Sequence, residues 1–268
     1  MTAPTMSPAS GGRHAVQHTA ALARRSLTGR WRQPAVLAPA FVFPLFFAAL
    51  GSSSFSRVAD LPDFPAPSFL NYAVAGAILQ GVLFGATSAG ADLATDIEQG
   101  FFERLLASPV SRSAILLGRL ASSVVVAMVQ VVLFLAVFVV FGARVESGPA
   151  GVIGLVVGGG LLGLAVASLL GAFAIRTGSA EAVQGAFPLV FILLFLSSAF
   201  YPRQYFTGWY ATVARWNPIS HFAEGMQGFM NDDLALDQFM RAWGLPALAA
   251  VLFLALALAT LQQRLAQQ

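Results

Sequence analysis

Between Leu116 and Phe141 the chain reads LLGRLASSVVVAMVQVVLFLAVFVVF, and Arg119 is the one charged residue in it. A run of this length and apolarity is enough for a helix to cross the hydrocarbon core of a bilayer. Five comparable runs flank it: Pro34–Gly51 and Phe69–Ala91 on one side, Gly151–Ile175, Ala182–Tyr201 and Trp243–Leu261 on the other. Inside hydrocarbon each backbone amide needs a partner in its own segment, which helices supply. The expected fold is therefore an all-α integral membrane protein, a six-transmembrane-helix bundle occupying residues 34–268. Pro34 suits a helix start, Pro39 and Pro44 should bend the first span, and Pro188 should kink the fifth.

Composition agrees. Of 268 residues, 57% are hydrophobic and 10% charged, and mean hydropathy is +0.74; a soluble domain carries about 25% charged residues. There is no cysteine, which excludes disulfides, thiolate metal sites and thiol nucleophiles. There is no lysine either: all 15 basic residues are arginine. A phosphate-binding loop of the G-x-x-x-x-G-K-[ST] type is thereby excluded, as is Schiff-base chemistry. If ATP drives this protein, another chain binds it, and no cofactor is expected on this one.

The net charge of +3 does not point to nucleic acid, because the arginines sit mainly at the edges of the apolar runs, where lipid and topology account for them. Six spans place both termini on one side. That side would carry nine arginines, five of them before Pro34, against five on the other, so both termini are expected in the cytoplasm. Arginine-only usage and high alanine point to a GC-rich bacterial source.

Residues 1–33 form a separate region. Met1–Gly12 is rich in Ser, Pro, Thr and Gly and reads as a disordered tail. From Arg13 to Trp31, Val16, Ala20, Ala23, Leu27 and Trp31 share one helical face while arginines fill the others, which predicts a basic amphipathic helix on the cytoplasmic membrane surface. A polar leader with accidental periodicity is the alternative. The polar region is long for a signal peptide, so the first span is expected to remain.

Within the spans, Gly154, Gly158, Gly159, Gly163, Ala167 and Gly171 stack small residues, as do Gly81, Gly85 and Ala89. They serve close helix packing, inside one subunit or between two. Gln80, Gln130 and Gln184 should face other helices or a cavity. No span centre carries an acid or base, which speaks against a proton-driven antiporter. His14 and His18 stand four apart without an acid or cysteine to complete a metal site, and neither H-E-x-x-H nor G-x-S-x-G occurs. No catalytic or metal-ligating residue is expected.

The loop after the second span, Asp92–Arg119, reads DLATDIEQGFFERLLASPVSRSAILLGR. It holds four of the twelve acids, and Phe101, Phe102, Leu105 and Leu106 alternate with the charge at helical spacing. Ser108-Pro109 should end the helix. The pattern predicts one short amphipathic helix over Asp96–Pro109, either a solvated connector or a rod that a partner grips. On the other side, Tyr201–Arg241 is long and aromatic. Its Asn217-Pro218 predicts two short helices around a turn, as an interfacial anchor or as an outer gate.

The string D-x-E-x-G-x-x-E-R-L-L-x-S-P-V-S-R, from Asp96 to Arg112, resembles the cytoplasmic loop of type 2 ABC exporter permeases. Trp216–Met226, W-N-P-I-S-H-F-A-E-G-M, is similar to the segment that family carries between its fifth and sixth spans. The resemblance implies a coupling helix at about 92–112 seated in a separate ABC ATP-binding subunit, present in two copies that hold ATP and Mg. Asp96, Glu98, Gly100, Glu103, Arg104, Leu105, Ser108, Pro109 and Arg112 would form that contact: Glu98, Glu103 and Arg104 by polar contacts, Gly100 by close approach, and Leu105 by anchoring the helix to the bundle. It implies re-entrant helices at about 202–236, with Trp216, Asn217 and Pro218 at the outer gate. It also implies a second permease subunit, as homodimer or heterodimer. The expected function is export of an amphiphilic, drug- or antibiotic-like substrate from the cell. The alternatives are export of a lipid or lipid-linked glycan, and a channel or scaffold that needs no ATPase.

Overall fold

The computed structural model describes residues 19–29, 34–106, 112–231 and 234–266, and among them no strand occurs. Helix α1 covers residues 19–29. After it come α2 (Pro34–Ser54), α3 (Phe69–Glu98), α4 (Phe101–Leu106), α5 (Arg112–Val140) and α6 (Gly148–Thr177). Then come α7 (Ala180–Gly185), α8 (Phe187–Phe195), α9 (Gly208–Trp216), α10 (Pro218–Asn231), α11 (Leu236–Phe239), a π-helical turn at Met240–Gly244, and α12 (Leu245–Ala266).

Among the described residues, four continuous helices are long and apolar enough to cross a membrane: α3, α5, α6 and the run Leu236–Ala266. Ala38–Ser54 and Ala180–Phe195 are shorter apolar helices. The most deeply buried is α3, which packs against α2, α5, α6 and α10. Small residues allow this. A Cβ at Gly159 would sit 2.5 Å from Val131, one at Gly163 2.7 Å from Ala127, and one at Gly158 2.8 Å from the Met226 sulfur. The glycine stripe of α6 thus packs against α5 and α10 inside the chain. Two apolar clusters result. One surrounds Ile78, Phe134, Leu155, Phe222 and Phe229; the other surrounds Ile97, Phe102, Ile115, Ile175 and Leu261.

Several expectations change. The second apolar run ends not at Ala91 but continues as helix to Glu98, so Asp92, Asp96 and Glu98 ride on the end of a long span. A single helix over Asp96–Pro109 is not formed. Gly100, at φ +65°, turns the chain, and a separate six-residue helix comes next; that backbone region is costly for residues with a Cβ. The fifth run is not one kinked helix reaching Tyr201 but α7 and α8, divided at Ala186 with Pro188 in the first turn of α8, and helix ends at Phe195. The last run starts earlier than Trp243, at Leu236.

Gln184 is exposed. Gln80 is fully buried without a side-chain partner among the described residues, whereas Gln130 Nε2 donates to Ala40 O across 2.7 Å. In α1 the inward residues are Thr19, Leu22, Ala23, Ser26 and Leu27, while Ala20 is exposed. The packed face is therefore rotated from the expected one: Leu22 packs on the second apolar cluster and Thr19 and Leu22 lie against Gly118 of α5. The Met1–Gly12 tail, Val16, Trp31, His14, His18, Ser108 and Pro109 lie outside the described residues.

Candidate functional site

The α3–α4–α5 junction is tied to the bundle at three of its acids, Asp96, Glu98 and Glu103. Asp96 forms an ion pair with Arg119 of α5, both partly shielded. Glu98 is exposed, yet its Oε1 accepts from Ala180 N, the first residue of α7, at 2.7 Å, where unpaired helix amides welcome a carboxylate. Glu103 Oε1 accepts from Arg264 Nη2 at 3.0 Å, and Arg264 Nη1 donates to Ile175 O at 2.9 Å. One guanidinium thereby joins α4 to the ends of α6 and α12. Beneath these contacts Phe102 is fully buried, and Leu105 and Leu106 pack on the same cluster.

Arg104 and Arg112 are the exposed cations of the segment. Arg104 lies 5.8 Å from the Phe101 ring centroid, and Arg25 of α1 covers that ring at 4.3 Å, within the range of cation–π attraction. The junction therefore presents Glu98, Arg104 and Arg112 outward and turns Asp96 and Glu103 toward the protein. Gly100 has open space where a Cβ would stand, so its positive φ is what the local fold requires of it.

At the other end, α9 and α10 meet at Asn217-Pro218. Asn217 is buried. Its Nδ2 donates to Leu193 O (2.7 Å) and Leu196 O (3.1 Å) at the end of α8, and its Oδ1 accepts from Ile219 N at 2.9 Å. One amide thus satisfies carbonyls orphaned at a helix C-terminus and an amide orphaned at a helix N-terminus. Pro218 opens α10, where its missing N–H costs nothing. Trp216 is 79% exposed.

One residue of that motif had no role assigned from sequence and proves central. Glu224 receives Arg241 Nη1 at 2.7 Å, Arg203 Nη2 at 3.2 Å and the Ser198 hydroxyl at 3.1 Å. Tyr72 OH and Gln227 Nε2 both donate to Ser198 O, at 2.6 and 3.3 Å. The cluster fastens α10 to α3, to the loop after α8 and to the π turn. The signal available in sequence was the one acid of α10, three residues past His221; its arginine partners lie 17 and 21 residues away and carry no local signature.

Comparison with known proteins agrees with this layout. Residues 17–231 match the ABC-2 type transporter family. The chain is 27% identical over 215 residues to the daunorubicin resistance ABC transporter permease protein DrrB1 of Streptomyces coeruleorubidus, covering 77% of this chain and 75% of that protein. It is 26% identical over 230 residues to the probable doxorubicin resistance ABC transporter permease protein DrrC of Mycobacterium tuberculosis, covering 85% and 82%. It is 29% identical over 251 residues to the putative transport permease ycf38 of the red alga Pyropia yezoensis, covering 91% and 85%. The family match takes in the tethered α3–α4–α5 junction and both helices that meet at Asn217-Pro218, and the chain belongs to the ABC-2 type transporter family as a multi-pass membrane permease subunit of an ABC transporter, similar to drug-resistance permeases.

Proposed function

We propose that this chain is the export permease of an ATP-driven pump, moving an amphiphilic, drug- or antibiotic-like molecule out of the cell. Its six apolar segments would all span the membrane, with both termini in the cytoplasm. Two such subunits, identical or not, would pair around the pathway, and two ATP-binding subunits would hold ATP and Mg. Ser108 and Pro109 would complete the coupling segment with Asp96–Leu106 and Arg112, and the Trp216–Pro218 corner would close the outer end.

The observation that carries this reading is the tethering of the junction. Through Asp96–Arg119, Glu98–Ala180 and Glu103–Arg264, a push on α4 reaches α5, α7, α6 and α12 together. A short rod fixed at several points moves its spans as a body, which is what transmission of ATPase closure demands. A passive connector has no need of these ties. The named drug-resistance relatives support the substrate class.

The test is co-purification with the ATP-binding subunit after Arg104→Glu and Arg112→Glu, residues that face outward and hold no ion pair with the bundle among the described residues. Lost partnership with normal membrane insertion is expected. Undiminished partnership in both variants, or uphill accumulation of doxorubicin by vesicles holding this chain alone, would overturn the reading. Loading vesicles with doxorubicin or with a fluorescent phospholipid separates drug export from lipid export.

A further inference from the structure

Helices α3 and α5 carry polar stripes on the faces they turn toward α1. On α3, Gly85, Ser88, Asp92, Thr95 and Gln99 recur at steps of three and four and so share one face. They border a recess of about 480 Å³, closed by Leu22 and Arg25 of α1 and by Arg119 and Val126 of α5. From Gln99 to Gly85 it runs along α3 for about 20 Å, from the cytoplasmic junction into the span. Beyond its inner end a void of about 10 Å³, room for about one water, shares Gly85 and Val126 with it and is lined by Ser123 and Gln130.

The hydrogen bonding of its walls is one-sided. A hydroxyl has a single proton to donate. Ser88 gives its proton to Phe84 O (3.1 Å), Thr95 to Ala91 O (3.0 Å) and Ser123 to Arg119 O (3.4 Å). What each leaves toward the groove is lone pairs. The Gln130 amide nitrogen is held by Ala40 O, and its Oε1 is buried with no partner among the described residues. That oxygen points at Gly85, lying 3.5 Å from where a Cβ there would stand. At the mouth Arg119 is paired with Asp96 and Arg25 lies over Phe101. Below the mouth the groove offers acceptors, beside apolar walls from Leu22, Leu105, Ile115 and Val126.

We propose that this groove, within one subunit, is an entry site for amphiphiles whose polar head is a primary ammonium. Its N–H donors meet the acceptors in turn, Thr95 near the mouth and Ser88 about 10 Å deeper along α3, with Gln130 Oε1 the acceptor beyond them, while the apolar part lies along the α1 side. The acceptor arrangement selects N–H donors rather than charge alone. Passage of the bound amphiphile out of the cell rests on the proposed export function.

The test uses the full-length chain in phosphatidylcholine nanodiscs and two probes: mono-dansylated 1,12-diaminododecane, which ends in a primary ammonium, and its N,N,N-trimethyl counterpart, equally charged but without N–H donors. Saturable dansyl emission should show the primary amine binding about tenfold tighter, as one hydrogen bond from a charged donor allows. Ser88→Ala with Thr95→Val should reduce that preference to within about twofold, whereas Thr95→Ser, which keeps the hydroxyl, should preserve it. Gly85→Leu, which plugs the groove and spares both hydroxyls, provides a second route should the double variant unfold; it too should abolish the preference. Equal affinity for the two probes, or a preference that survives the plug, overturns the proposal. ATPase co-purification reads the export function separately. Amine preference without an ATPase partner would leave the groove and sink the pump; a partner without amine preference would do the reverse.

Discussion

Gln130 of α5 donates its side-chain amide to the carbonyl of Ala40 in α2, the carbonyl that Pro44, four residues on, leaves without a helical partner. A side chain from another helix thus supplies the partner that the proline takes from α2. Gln130→Leu should cost about 1 kcal/mol, the scale of an interhelical hydrogen bond in a bilayer plus an orphaned carbonyl. Combined with Pro44→Ala, which returns an amide to Ala40, the loss should largely vanish. A double-mutant cycle of thermal unfolding in detergent checks this: additive losses would mean the two residues do not share that carbonyl.

Glu103 and Arg264 predict a charge-reversal rescue. Because Glu103 faces Arg264 at 3.0 Å, Glu103→Arg should weaken ATPase partnership indirectly, by releasing α4 from α12. Restoring the pair in reverse with Arg264→Glu should recover most of it. Were Glu103 instead a direct contact for the ATPase, the double variant would bind no better than the single one. Pull-down of the ATP-binding subunit against each variant distinguishes the two.

Much of the fold was legible from apolar runs alone, since a bilayer imposes length and apolarity on any segment that crosses it. The same logic did not find the ends of the spans, because polar groups at a water boundary are tolerated in helix and coil alike. The Asp96–Arg112 motif located the junction correctly in the chain but not its shape. The helix is broken by Gly100 at positive φ, and Glu103 is held by an arginine 161 residues away. Neither partner choice leaves a periodic trace. The Ala40 carbonyl that Pro44 frees was different: asking which side chain satisfies it could have singled out Gln130 among the three glutamines of the apolar runs, though not its register.

Asn217 predicts a graded loss at the corner of α8, α9 and α10. Its amide makes two bonds to the end of α8 and caps α10, so Asn217→Ala should destabilise the protein by about 2 kcal/mol, the range for a buried polar group whose partners are left unpaired. Asn217→Asp keeps the cap on Ile219 N but presents an anion to the carbonyls of Leu193 and Leu196, and should lose at least as much. Trp216→Ala, at an exposed neighbour, should change stability little. Thermal unfolding of the three variants in one detergent tests the ranking, and equal effects at 216 and 217 would refute the stapling role.

Gly118 predicts where α1 is seated. A Cβ there would come within 2.8 Å of the Leu22 Cβ and 3.0 Å of Thr19 O, so part of the clash is with backbone, which cannot rotate aside. Gly118→Val should therefore lift α1 from α5 while leaving the transmembrane bundle assembled. Arg24 and Arg25, already exposed, would then be cut faster by trypsin because the undocked helix unwinds more readily, and Arg25 would leave the Phe101 ring it now covers. When cleavage tracks the population of the open form, each ~1 kcal/mol of lost docking raises its rate about fivefold. Limited proteolysis of nanodisc-held protein measures this directly. The groove proposal adds a consequence: with α1 displaced, the wall formed by Leu22 and Arg25 is lost, and affinity for the dansylated diamine should fall in the same variant. Faster cleavage with unchanged amine affinity would show that α1 docks at Gly118 but does not close the groove.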